Sequence, residues 1–305
     1  MIANFFNKST PITTFSIFIL LLLVILVTTF SLPTVDFTLL FFFERLGILV
    51  LLLLTLFLVQ FITKKNGLIK DNAFDLFLMV VLIAMFPKVT TDYTLIISHF
   101  ILLLAFRRIY SLRTIKNPKE KLFDSSFYIG IATLIYPWCI FYIILPYIAI
   151  VNFNKRTVRN VIIPLVGLIT PFIIYGTYLI LIDGFENFNL DFTYSFLYTN
   201  YNSPQLLIPL ALLLGFLIWV LIPTTIKIIT FKSELKNSWY VLMAHLILSI
   251  LIVVLSPIKD GSEFLYLFFP LAIIFTNYLQ IIKEKWFKEV FLYLFSIIAI
   301  IGYFL

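Results

Sequence analysis

Carboxylates interleaved with aromatic rings form the most chemically suggestive stretch of this chain. From Asp183 to Gln205 it reads DGFENFNLDFTYSFLYTNYNSPQ, with Asp183, Glu186 and Asp191 set among Phe185, Phe188, Phe192, Tyr194, Phe196, Tyr198 and Tyr201. Aromatic faces cover the apolar C–H surface of a sugar while Asp and Asn bond its hydroxyls, so these are the residue types of a carbohydrate surface. Spacings of three and four between Phe185, Phe188 and Phe192 equally predict a short helix lying in a membrane interface, its rings forming an aromatic belt.

Two histidines, His99 and His245, each stand alone in an apolar stretch. An ionisable group inside a membrane needs a partner, and the pair has the chemistry of a proton relay or of hydrogen bonds between helices. No H-x-x-x-H, H-E-x-x-H or neighbouring carboxylate accompanies them, so no metal site is expected. Asp75 and Asp124 fall where first helical turns are expected and suit a helix N-terminus. Phosphate-binding glycine loops, dinucleotide fingerprints and nucleophile elbows are missing, and no cofactor is implied. The single cysteine, Cys139, reads as a small buried hydrophobe.

The elements that must position these residues are transmembrane helices. Hydrophobic residues make up 62% of the 305 and charged residues 12%, where soluble domains have about one half and one quarter. Lipid-facing side chains can all be apolar, which makes such a composition workable. The expected fold is all-α, a polytopic integral membrane helical bundle filling residues 1–305 as one transmembrane domain. Apolar runs place spans near 13–31, 46–62, 73–88, 93–106, 122–136, 138–152, 161–182, 205–226, 239–256, 264–282 and 289–305, about eleven segments. The first is read as a retained span, since no small-residue cleavage site follows it.

Lys and Arg set the orientation. With the N-terminus and every second loop assigned to the cytoplasm, 19 of the 22 basic residues fall on that side, leaving Arg45, Lys88 and Lys259 outside. The C-terminus then lies outside, together with eight carboxylates: Asp36, Glu44, Asp92, Asp183, Glu186, Asp191, Asp260 and Glu263. Topology thus accounts for the net charge of +7 without a nucleic-acid partner. The cytoplasmic cluster around Arg107, Arg108 and Arg113 suits anionic lipid headgroups and is equally the usual stop-transfer charge.

Residues 122–152 break the pattern. As one straight helix, about 31 residues would measure roughly 46 Å, too long for one crossing. Basic flanks on both sides call for a return to the same face, so a short helical hairpin is predicted, turning near Tyr136-Pro137-Trp138. The largest outer loop is then about 183–205.

The Arg107-Arg108-Ile109-Tyr110-Ser111-Leu112 run, FDSSFYIGIATLIYPWCIFYIILPYIAI from Phe123 and NKRTVRNVIIPLVGLITPF from Asn154 resemble a family of uncharacterised bacterial inner-membrane proteins. That resemblance implies a multi-pass protein of the bacterial cytoplasmic (inner) membrane and carries no activity. The short helix pair between basic loops is also similar to the core of polyprenyl-phosphate-dependent glycosyltransferases of the C type, whose catalytic carboxylate sits in the first outer loop. Here that loop offers Asp36 or Glu44 as general base on an acceptor hydroxyl, with Arg45 or Lys259 stabilising the departing phosphate and Asp183, Glu186, Asp191 and Tyr194 holding sugar or acceptor. The loop and the chain are both shorter than in those enzymes.

Three readings stand open, and whether the protein is an enzyme stays open with them. One is a non-catalytic subunit of an envelope assembly, which needs other membrane proteins as partners. The second is a glycosyltransferase using a polyprenyl-phosphate-linked sugar at the outer face. The third is a lipid or small-molecule transporter. Membrane lipids are partners in all three.

Overall fold

The computed structural model describes residues 2–31, 38–114, 116–182, 184, 186, 188–231 and 233–303. Among these there are twelve α-helices and no β-strand. A short α1 (Ile2–Phe6) leads into α2 (Pro11–Phe30) and α3 (Leu39–Lys65). Then come α4 (Phe74–Met85), α5 (Tyr93–Tyr110), α6 (Pro118–Ile135) and α7 (Ile144–Asn152). The chain ends with α8 (Val158–Leu181), α9 (Pro204–Phe231), α10 (Ser233–Leu255), α11 (Leu265–Ile281) and α12 (Lys285–Ile301).

Local chemistry fixes many of the starts. Thr10 and Thr13 form a reciprocal capping box at α2. Thr38, Asp92 and Thr157 accept backbone N–H groups at the first turns of α3, α5 and α8.

Seven helical segments among the described residues are long and apolar enough to cross a membrane: Pro11–Phe30, Leu39–Lys65, Tyr93–Arg113, Val158–Leu181, Pro204–Thr230, Leu235–Leu255 and Ser262–Ile281. The sequence points to about eleven. The difference lies in α4, α6, the Pro137–Asn152 arm and α12. The first has 12 residues and the last 17, α6 carries Lys119, Glu120, Lys121 and Asp124 in its first turns, and the arm is not one regular helix.

The shortest of these lies at the centre. Every residue of α4 is buried, as is α11 from Leu265 to Leu279. The two pack antiparallel, with Phe86 after α4 stacked near Phe264 at 4.8 Å and Phe268 at 6.0 Å. A helix that is apolar all round belongs inside other helices. At about 18 Å, α4 is shorter than a bilayer core, and the irregular backbone flanking it is tolerated because protein surrounds it. By contrast, α8 and α9 turn most of their surface outward, as lipid-facing helices do.

Residues 118–152 form two helical arms that meet at Pro137. Helix α6 stops at Tyr136, Pro137–Ile143 continues as a 3-10 turn, and α7 completes the return. Gly130 faces Leu168 and Pro171 while Gly167 faces Phe123, Ser126 and Phe127, so α6 and α8 run parallel at backbone contact. Parallel neighbours joined through α7 require that the chain from Pro137 to Asn152 run back along them.

Basic residues gather at one end of the bundle. There Arg113 donates to Asn66 O at 3.0 Å, Lys121 to Ser111 O at 2.8 Å, and Arg108 pairs with Asp124 at 2.8 Å. Burial and the neighbouring cations Arg108, Lys155 and Lys65 hold Lys121 below the ordinary lysine value.

The aromatic loop departs from the helical expectation. Residues 188–198 are not helical, and a 3-10 turn forms only at Thr199–Asn202. Phe188 packs on Tyr175 and Phe192 edge-on to Trp138, so the two rings serve different neighbours. Asn187, Asn189 and the carboxylates leave too few apolar positions for an amphipathic face. Phe185 and Asp183 lie outside the described residues.

Candidate functional site

At the end of the bundle opposite the basic cluster, four connections converge on a polar chamber of about 670 Å³. Thr28 and Ser31 close α2, and Pro87, Lys88 and Thr91 come from the α4–α5 turn. Asn200, Ser203 and Gln205 lead into α9, Asp260 lies in the α10–α11 turn, and Tyr303 follows α12. The volume falls within the roughly 300–1,000 Å³ of small-molecule sites.

Close packing holds these turns together. Gly261 has φ of 99°, a region open to glycine, and a Cβ there would come within 2.7 Å of Leu206 and 3.2 Å of Phe86. The α10–α11 turn therefore presses directly on the start of α9 and the end of α4. Asp260 is fixed in this turn, its Oδ1 accepting Ser262 N at 3.0 Å and Ser262 Oγ at 2.6 Å. On the other side, Arg45 donates to Thr90 O at 2.9 Å and lies over the Phe41 ring, bracing the turn that carries Lys88.

An apolar groove of about 480 Å³ meets the chamber at Tyr303. Leu20, Leu23 and Val27 of α2 form one wall, Ala299 and Ile300 of α12 the other, and Val80 and Ala84 of α4 the floor. Tyr303 Oη is buried without a hydrogen-bond partner among the described residues, at the point where groove and chamber meet. A second, smaller apolar cavity of about 200 Å³ lies between α9, α10 and α11 beneath Tyr198 and Tyr201.

The sequence candidates distribute unevenly around this arrangement. Asp36 and Asp183 lie outside the described residues. Glu44 lines a shallow apolar groove between α3 and α5, beside Tyr93. Lys259, the neighbour of Asp260, turns inward. It is buried, and its Nζ donates to Val253 O at 2.6 Å and Val254 O at 2.9 Å, capping α10 while lying over Tyr198. Burial lowers its ammonium from the ordinary value, an effect opposed by the nearby Glu263. Asp191 accepts Thr193 N, Tyr194 packs on Phe196 with its surface exposed, and Glu186 is exposed. Arg107 lies over Phe61. Arg108 and Arg113 make the bonds described above, so these three arginines tie α3, α5 and α6 together.

The histidines are deep in the core. His245 Nδ1 and Tyr110 Oη share a 3.3 Å hydrogen bond, and Phe106, Tyr142 and Phe269 enclose the ring. His99 lies edge-on to Tyr266, and neither of its nitrogens has a partner among the described residues. No group of three metal-ligating side chains occurs among the described residues.

The profile of DUF6427, a family of unknown function, matches residues 1–305. The chain belongs to that family. No curated protein and no solved structure matches it. Membership in DUF6427 agrees with the resemblance to proteins without assigned activity, and no glycosyltransferase similarity is shown. Of the residues that make the chamber in this DUF6427 chain, Lys88 and Asp260 stand out in the sequence only as charges assigned to the outer side, and Tyr303 carries no signal there.

Proposed function

We propose that this multi-pass membrane protein holds a single amphipathic lipid, its hydrocarbon chain in the groove between α2 and α12 and its headgroup in the polar chamber. One observation carries the reading: a groove with apolar lining opens, through the shared Tyr303, into a chamber where hydroxyls, amides, one ammonium and one carboxylate stand beside Pro87, Leu206 and Gly302. That sequence of surfaces matches the order of parts along a lipid. The lining is a recognition set, since Lys88 and Asp260 supply one positive and one negative charge and no histidine or thiol joins them.

We place the basic end in the cytoplasm of a bacterial inner membrane, with eleven helical passages, the N-terminus inside and the chamber at the outer leaflet. The Lys/Arg asymmetry supports this. Such a protein serves an envelope process by presenting or moving lipid, in keeping with a non-catalytic or transporter role.

Native mass spectrometry of protein extracted gently in its own lipids tests the reading. Wild type is expected to retain a stoichiometric lipid. Leu23→Trp, at the exposed groove edge, and Ala84→Phe, on its floor, are expected to reduce that occupancy severalfold without changing thermal unfolding by more than a few degrees. Undiminished occupancy in a folded Leu23→Trp variant would overturn it.

A further inference from the structure

Resting on the lipid reading above, we infer that the chamber selects a zwitterionic headgroup joining a phosphate to a primary amine, as in phosphatidylethanolamine. Moving an alkyl chain from bilayer to groove gains little, because lipid tails are as apolar as Leu, Val and Ala. Preference among lipids must therefore come from the polar end.

That end carries two charged lining residues, Lys88 and Asp260. The exposed Lys88 enters no ion pair with the described residues, and neither does Asp260. They sit on turns clamped together by Phe86, Gly261 and Phe264, so both residues line one cavity. Asp260 commits its Oδ1 to Ser262, while Oδ2 takes no hydrogen bond from the described residues.

A chamber with one cation and one anion is complementary to a headgroup with one of each. The ammonium of Lys88 meets the phosphate, and the Asp260 carboxylate meets the amine. A headgroup that is only anionic, such as phosphatidylglycerol, would satisfy Lys88 but set its charge against Asp260. A headgroup without charge leaves both residues unmatched. The hydroxyl oxygens of Ser31, Thr91 and Ser203, whose hydrogens go to Val27 O, Lys88 O and Asn200 O, accept the remaining amine hydrogens, and the side-chain amides of Asn200 and Gln205 donate to phosphate oxygens.

The test is a native mass spectrometry titration of delipidated full-length protein with phosphatidylethanolamine, phosphatidylglycerol and diacylglycerol of matched chains. Phosphatidylethanolamine is expected to bind about tenfold more tightly than either competitor. Lys88→Ala should weaken it by a similar factor, and Asp260→Asn should erase its advantage over phosphatidylglycerol. Asp260→Asn keeps an oxygen for Ser262, so its thermal unfolding and its total lipid binding should stay near wild type while the preference disappears, which a merely misfolded chamber would not do. Equal binding of all three lipids, with Leu23→Trp still reducing it, would overturn the headgroup assignment while the lipid reading stands. Binding no greater than in Leu23→Trp for any lipid would remove both.

Discussion

Tyr201 donates its phenolic hydrogen to the fully buried carboxylate of Glu263, fastening the loop before α9 to the 3-10 turn that leads into α11. Glu263 also accepts Gly261 N at 2.9 Å, so the same carboxylate shapes the turn that carries Asp260 to the chamber. The short second cavity lies directly below this bond.

Replacing Tyr201 with Phe leaves that buried carboxylate one donor short. A loss of about 1–3 kcal/mol in stability is expected, read by thermal unfolding in detergent. Burial and Glu263 together push the Tyr201 phenol above the ordinary tyrosine value. With a raised folded-state value, the stability tied to this proton is present in full below about pH 10 and is lost as pH climbs from there toward the folded value. The difference between wild type and Tyr201→Phe should therefore hold steady below about pH 10 and narrow as pH rises above it. A constant difference would exclude this linkage.

The crossing of α6 and α8 depends on glycine. A Cβ on Gly130 would lie 2.7 Å from Leu168 O, and one on Gly167 2.7 Å from Phe123 O. Both contacts are with backbone, which cannot swing aside. Gly130→Ala and Gly167→Ala should each cost about 1–3 kcal/mol through separation of the two helices, whereas Gly215→Ala, with open space around it, should be neutral or stabilising. Unfolding midpoints of the three variants decide the matter.

Arg108 and Asp124 join α5 to α6 at 2.8 Å, each about one third exposed. Partial solvation limits such a pair to about 0–1 kcal/mol. Asp124→Asn should thus shift the midpoint only slightly at low salt and not at all at high salt. A large, salt-independent loss would mean that Asp124 has a role beyond the pair.

Orientation is open to cysteine labelling, because Cys139 is fully buried and contributes little background. In intact cells a membrane-impermeant thiol reagent should modify Thr199→Cys at the chamber rim and spare Lys70→Cys at the basic end. The reverse pattern would invert the proposed topology.

The sequence by itself determined that this is an all-helical chain of long apolar segments whose basic residues gather at one end. Both features follow from sums over many residues, namely apolar runs and the lopsided placement of Lys and Arg, and such sums survive local error. It also located the hairpin turn at Pro137, because proline removes a backbone donor wherever it stands. Which passages are peripheral and which central was decided only by tertiary structure. Val80 and Ala84 of α4 and Leu23 of α2 are equally apolar on paper, yet they become floor and wall of a groove through packing between distant segments. The chamber was hidden for the same reason: Lys88 and Asp260 are 172 positions apart, and only the fit of Phe86 against Gly261 and Phe264 brings the two residues to one cavity. Lys259, one residue away and chemically more conspicuous, is spent on the carbonyls that end α10. Spacing along the chain cannot tell a lysine that faces a cavity from one that caps a helix, since that choice is made by the neighbours that folding supplies.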